Sequence, residues 1–151
     1  TEHRRHTGKS AHGAQTWFGK LCNRPSKRVY EWMDAKKVPV GPHLVQPYGL
    51  VHGGVYASII ETVASVGAAM FAMANGQTAV GLENSTSFLR AVRTGKLVGI
   101  ARPLHRGRAT QVWEVEVRSD DGKLAATGRV RMLCLEPGAS VAGEKVTLKP
   151  R

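Results

Sequence analysis

Between Gly54 and Asn75 the chain runs through residues that are almost all apolar or small, and Glu61 is the one charged side chain among them. A segment of this length spans about 33 Å as a helix, enough to cross a bilayer. Glu61 would then sit near the bilayer centre, and no second hydrophobic span accompanies it. Ala57, Ala64, Gly67 and Ala68 suit a different setting, a helix pressed closely against a sheet. The expectation is a buried core helix with no membrane partner, ended by Asn75-Gly76.

What precedes and interrupts that helix carries the chemistry. His52-Gly53-Gly54 stands at its mouth, where the first amide groups of a helix lack internal partners and can hold a developing negative charge. The missing side chains of Gly53 and Gly54 let a substrate carbonyl approach those amides. A carboxylate among alanines and isoleucines is costly unless it is paired, protonated or used in chemistry. Glu61 therefore reads either as a partner for a core arginine or as a general base or nucleophile. Ser65, four residues on and on the same helical face, is a packing residue or a group that orients the carboxylate or a water. His52 is a base or, the reading favoured here, a loop-holding hydrogen-bond partner. Together these parts point to an acyl-transfer site.

Spacing adds a constraint. Eight residues separate Gly53 from Glu61, about 12 Å along a helix. One substrate carbonyl cannot touch both groups of one chain at hydrogen-bond distance. If both serve one reaction, the glutamate comes from a second subunit, and a dimer with two interfacial sites is expected.

The remainder reads as strands. Gln77–Val92 has turn signals at both ends, and Lys96–Arg102 is β-rich. Trp113, Val115 and Val117 alternate with Glu114, Glu116 and Arg118, as a half-buried strand requires. Asp120-Asp-Gly122 is a hairpin turn, and Leu124–Leu135 returns with Val130, Met132 and Cys134 on one face. One long helix followed by antiparallel strands is an α+β pattern. Residues 1–27 read as a basic lead-in, either disordered or with a short helical piece at Trp17–Leu21, and Val29–Met33 is a weak first strand. Pro39, Pro42 and Pro47 punctuate the loop into the His-Gly-Gly turn. The domain is expected over 28–136, followed by a polar tail over 137–151.

A 151-residue chain with 42% hydrophobic residues is large enough for one domain with its own core. Its net charge of +11 reads as a solvated basic surface or as attraction for a ligand bearing several phosphates. Nine of the 22 Lys and Arg residues precede Tyr48, and no RNA-binding aromatic signature, zinc finger or helix-turn-helix accompanies the charge, so nucleic acid is not an expected partner. Cys22 and Cys134 form neither a disulfide framework nor a metal cluster. Free thiols, and a basic start followed by no apolar signal region, lead to an expectation of a cytoplasmic protein with no metal and no cofactor.

Gln46-Pro-Tyr-Gly-Leu-Val-His-Gly-Gly54, Glu61-Thr-Val-Ala-Ser65, Val80-Gly-Leu-Glu83, Arg90 and Pro103-Leu-His-Arg-Gly107 together resemble the hotdog-fold acyl-CoA thioesterases. The subgroup resembled is that of phenylacetate-degradation proteins and 4-hydroxybenzoyl-CoA thioesterases with a helical glutamate, which includes hydrolases of 1,4-dihydroxy-2-naphthoyl-CoA. The likeness runs from about Gln46 to Leu135.

The resemblance implies an antiparallel sheet wrapped around the long helix, and dimers that pair into a homotetramer. It implies that Gln46 contacts the thioester region, that Gly53 supplies the oxyanion amide, and that His52 supports that turn. Glu61 of the partner subunit is the implied carboxylate, assisted by Ser65. His105, Arg106 and Gly107, with Gly54 and Arg90 adding to the binding surface, fall where such proteins bind coenzyme A. Phe88 stands where some relatives carry histidine, which shifts the expected acyl group towards an apolar one. The amino-terminal third departs from the family pattern. Hydrolysis of an acyl-CoA or aroyl-CoA thioester is the implied activity, with coenzyme A as part of the substrate. A non-catalytic acyl-CoA-binding or sensor module, which would not need Glu61, is the alternative.

Overall fold

The computed structural model describes residues 37–147. The basic lead-in, Trp17–Leu21, Cys22 and the weak strand Val29–Met33 lie outside the described residues.

The central helix α1 spans Gly53–Ala74, within a residue of the expectation. His52 caps its start and Asn75 its end, where the Asn75 N–H donates to Ala72 O at 2.9 Å and the Gly76 N–H to Met73 O at 3.0 Å. The side-chain amide of Asn75 adds a bond to Phe71 O at 3.1 Å. Tyr56, Ile59, Ile60, Val63, Ala64, Gly67, Ala68, Met70 and Ala72 are buried, and their three-to-four-residue spacing sets one helical face against the sheet. A helix this apolar is long enough to cross a membrane, but here that face is covered by the chain's own strands.

Those strands are β1 (Val38–Pro39), β2 (Thr78–Phe88), β3 (Lys96–Arg106), β4 (Thr110–Ser119) and β5 (Leu124–Leu135). They form one antiparallel sheet in the order β1-β3-β4-β5-β2, wrapped around α1 as the resemblance implied. Alternation in β4 buries Trp113, Val115 and Val117, and β5 answers with Val130, Met132 and Cys134. Ile60, Val115, Val117, Val130 and Met132 are almost wholly excluded from water; burial of each such side chain contributes about 1.5–3 kcal/mol. Gln111, buried beside them, is satisfied: its amide nitrogen donates to Ala68 O at 3.2 Å and its oxygen accepts from Trp113 Nε1 at 2.9 Å. Cys134 is a free, buried thiol.

Close approach of helix to sheet depends on Gly67. A methyl group there would come within 2.6 Å of the Trp113 ring, so the small-residue pattern read from the sequence has a specific partner.

Three boundaries differ from expectation. β2 ends at Phe88, short of Val92. β3 continues past Arg102 through Pro103 to Arg106. Pro103 is tolerated because β1 pairs with β3 only at Lys96 and Leu97, and a bulge at Leu104 follows. Within the expected tail, Ser140–Val141 (β6) and Glu144–Lys145 (β7) form a small hairpin. Its turn residues Ala142 and Gly143 both have positive φ, 52° and 84°; an Ala-Gly pair lacks the Asn-Gly signature by which such turns are recognised.

Candidate active site

At the start of α1 three amides have distinct fates. The Gly54 N–H donates to His52 Nδ1 at 2.9 Å, and the Val55 N–H donates to His52 O at 2.9 Å. The Gly53 N–H donates to no group among the described residues. Accepting at Nδ1 leaves the neutral His52 ring with its proton on Nε2. His52 thus caps the helix through its side chain, which leaves the Gly53 N–H as the amide at the helix start with no partner among the described residues. Above Gly53 lies the Phe88 ring: a methyl group on Gly53 would be 2.8 Å from Phe88 Cζ.

The loop delivering this turn is tied at several points. His52 N donates to Leu44 O at 2.9 Å, Val51 N to Val92 O at 2.8 Å, and Gly49 N to Gln46 O at 2.8 Å. Gln46 therefore sits on a tight turn beside the helix start. Arg93 Nη1 donates to Tyr48 O at 2.7 Å and holds the turn from outside. Arg93 carries no signal in the sequence, because its contact reaches 45 residues back.

Glu61 is not buried as expected: it is half-exposed. Its apolar neighbours Ile59, Ile60, Val63 and Ala64 face the sheet, whereas Glu61 turns towards β2 at the sheet's margin. No arginine pairs with it among the described residues. Oε1 accepts from Ser65 Oγ at 3.3 Å and Oε2 from Asn84 Nδ2 at 3.1 Å. Gly81 packs against the carboxylate, which occupies the space a side chain there would need.

Gly81 and Asn84 have opposite parity and would face opposite sides of a regular strand. A bulge at Leu82 resolves this: Gly81 pairs with the buried Met132 and Glu83 with the exposed Arg131, so both Gly81 and Asn84 face the helix. Sequence reasoning misses Asn84 for that reason. Bulges are frequent beside functional sites.

Tyr56 packs beneath Phe88, with ring centroids 6.1 Å apart. Burial raises its pKa above the ordinary tyrosine value, and its hydroxyl has no partner among the described residues. On the other side of the helix, Val38, Leu44, His52, Val55, Ile59 and Val63 contribute to an apolar groove of about 600 Å³.

The remaining candidates lie apart. Arg90 pairs with Asp121 at 3.2 Å on the β4–β5 turn, so its charge is locally compensated. His105 and Arg106 face opposite sides of β3: Arg106 stacks on Phe71 at 4.9 Å, near the far end of α1. Arg106 and Gly107 line a pocket of about 350 Å³ with Phe71, Asn75, Gln77, Arg108 and Glu136. Eighteen residues separate Gly53 from Phe71, about 27 Å of helix. Gln46, His52, Gly53, Gly54 and Phe88 are thus brought together; Glu61 and Ser65 form a second group; Arg90 and the His105–Gly107 segment belong to neither. Among the described residues no cluster of His, Cys, Asp or Glu is suited to hold a metal ion.

A curled antiparallel sheet around one long helix, with a glycine-opened helix start and a hydrogen-bonded helical carboxylate, is the hotdog arrangement. The thioesterase superfamily profile matches residues 48–126, and the chain belongs to that superfamily. Among solved structures, the Mycobacterium tuberculosis protein Rv1847/MT1895 is 42% identical with a TM-score of 0.65, over 66% of this chain and 81% of that one. The proofreading thioesterase EntH of Cronobacter sakazakii is 40% identical over 93 residues, 62% of this chain and 67% of the relative. The 1,4-dihydroxy-2-naphthoyl-CoA hydrolase of Escherichia coli is 36% identical over 93 residues, 62% of this chain and 68% of the relative.

Proposed function

We propose that this protein hydrolyses an acyl-CoA or aroyl-CoA thioester to the free acid and coenzyme A. The observation that carries the reading is the division of labour along α1. A Gly53 amide with no partner among the described residues opens the helix, and a carboxylate held by Ser65 and Asn84 lies eight residues on. Relatives named as a proofreading thioesterase and a naphthoyl-CoA hydrolase support the same chemistry.

In this reading the thioester carbonyl oxygen rests on the Gly53 N–H, beside Gln46 and the Phe88 ring. Glu61 of the partner subunit either attacks the carbonyl carbon or takes a proton from the water that does. The electron pair of the carbonyl moves onto oxygen, where the Gly53 amide stabilises it. Collapse breaks the C–S bond, and the thiolate of coenzyme A leaves. On the first route water then hydrolyses the acyl-glutamyl anhydride. One oriented donor and one carboxylate each supply a factor of about 10²–10⁴, which is suited to an already activated ester. Neither route calls for a metal or a redox cofactor.

The partner subunit follows from the spacing of about 12 Å and is supported by the sheet. Among the described residues β2 is bonded only to β5, and it leaves Leu82, Phe88 and the following Leu89 more than half exposed. A long unpaired edge of this kind is a template for a second strand, so we assign the homodimer to that edge, with a homotetramer built from two dimers. Phe88 over Gly53 favours an apolar acyl group. Arg106, near the far end of α1, suits the phosphates of an elongated ligand rather than its acyl end.

The test is thiol release from a panel of aroyl- and fatty acyl-CoA esters by the wild type and Glu61→Ala. Turnover abolished in the variant supports the proposal. Undiminished turnover in Glu61→Ala removes the carboxylate from the mechanism, and saturable binding of esters without thiol release identifies a binding module instead.

A further inference from the structure

We infer that Asn84 is the positioning residue for Glu61, anchored in turn by Thr86. Three hydrogen bonds define it. Asn84 Nδ2 donates to Glu61 Oε2 at 3.1 Å and to Ala57 O at 3.0 Å, and Asn84 Oδ1 accepts from Thr86 Oγ1 at 2.7 Å. The amide cannot be turned over without loss. Ala57 O is a backbone carbonyl and only accepts, so the NH₂ group must face the helix and the oxygen must face the Thr86 hydroxyl. Glu61 Oε2 is thereby fixed as an acceptor.

The carboxylate is thereby held from two elements. Ser65, on the same helix, fixes only one oxygen; Asn84 reaches across from β2 and fixes the other, so the carboxylate plane is set by the sheet as well as by the helix. Gly81 beside it clears the space.

Other charges facing Glu61 are few among the described residues. α1 carries Tyr56 as its other titratable side chain, directed into the core. Glu83 of β2 faces the opposite side and pairs with Arg131 of β5. From β3, Arg106 reaches the helix at Phe71, ten residues beyond Glu61 and about 15 Å along the axis. The core residues that β4 and β5 contribute, Trp113, Val115, Val117, Val130 and Met132, are uncharged.

The catalytic part of this inference rests on the proposed hydrolysis; the geometric part does not. Both are tested on the full chain with Asn84→Ala, Asn84→Asp and Thr86→Val, the last preserving Asn84 should the others fold poorly. Two readouts are taken: kcat and KM for the best thioester of the panel, and the NMR signal of the Glu61 carboxyl carbon at fixed pH without substrate. The expected result is a fall in kcat of about ten- to hundred-fold in Asn84→Ala with KM unchanged. The Glu61 carboxyl signal should shift in Asn84→Ala, where the Oε2 donor is gone, and in Asn84→Asp, which puts an acceptor where that donor stood. Thr86→Val should move both readouts in the same direction by less. A carboxyl signal that moves in a protein with no thioesterase activity keeps the positioning role and removes the hydrolysis reading. A carboxyl signal unchanged in all three variants overturns the inference, whatever happens to melting temperature.

Discussion

His52 Nδ1 accepts the Gly54 N–H at 2.9 Å, and this one bond separates the two glycine amides into a structural donor and one with no partner among the described residues. A side-chain cap of this kind is worth about 1 kcal/mol. His52→Ala should lower the melting temperature by about 2–4 °C in a chain of this size. His52→Asn, which can cap in the same way, should retain both stability and thiol release. A stable but inactive His52→Asn would move the imidazole from capping into the chemistry.

Glu61→Gln separates charge from shape. The substituted amide oxygen can still accept from Asn84 while its NH₂ group donates to the Ser65 hydroxyl, which can turn to accept, so circular dichroism and melting should resemble the wild type. Thiol release should fall by about 10²–10⁴. Loss of fold instead of loss of rate would make the carboxylate a structural group.

Gly67 tests the packing of helix on sheet. The Trp113 ring, within 2.6 Å of a methyl placed on Gly67, is itself pinned by the bond from its Nε1 to Gln111. It cannot swing aside cheaply, and overpacking of this kind costs about 1–3 kcal/mol. Gly67→Ala should lower the urea midpoint without changing the m-value.

How far these features can be read in advance depends on the range of the contact that makes them. The alternation of Trp113, Val115 and Val117 and the turn at Asp120–Gly122 are local patterns, and they appear in the structure as expected. The helix and its small-residue face are local as well, although the identity of the opposing Trp113 is not. Glu61 is misjudged from sequence because composition around a residue does not say which way its side chain turns; the half-exposed position follows from the margin of the sheet. Asn84 is invisible for a sharper reason. Regular strand parity would send Gly81 and Asn84 to opposite faces, and only the bulge at Leu82 reconciles them. Pro103 misleads in the opposite direction, since proline ends a central strand but not one whose outer edge is open.

Asp121 supplies a pH signature. The Ser119 hydroxyl, the Lys123 amide and Arg90 all donate to it and hold its carboxyl well below the ordinary aspartate range. With the folded pKa depressed, the stabilisation is complete above the unfolded value of about 4. It is lost progressively as the pH falls from there towards the folded value. The melting temperature of Asp121→Asn should therefore lie below that of the wild type at pH 7, and the gap should close as the pH drops below about 4. A gap that widens in acid would contradict the depressed pKa.

Arg93 offers a way to loosen the site without touching it. Its guanidinium donates to Tyr48 O at 2.7 Å, next to Gly49 at φ +74°, on the turn that carries Gln46. The contact is exposed, so its loss costs about 1 kcal/mol, a small part of the total stability. The same loss frees the turn to sample other positions. In Arg93→Ala the melting temperature should fall by no more than about 4 °C, while KM for the thioester rises several-fold and kcat falls less. Arg93→Lys keeps the charge but not the guanidinium reach, and should lie between the two. Steady-state kinetics on all three proteins decide the matter: an unchanged KM in Arg93→Ala would mean that Gln46 and its turn do not bind the substrate.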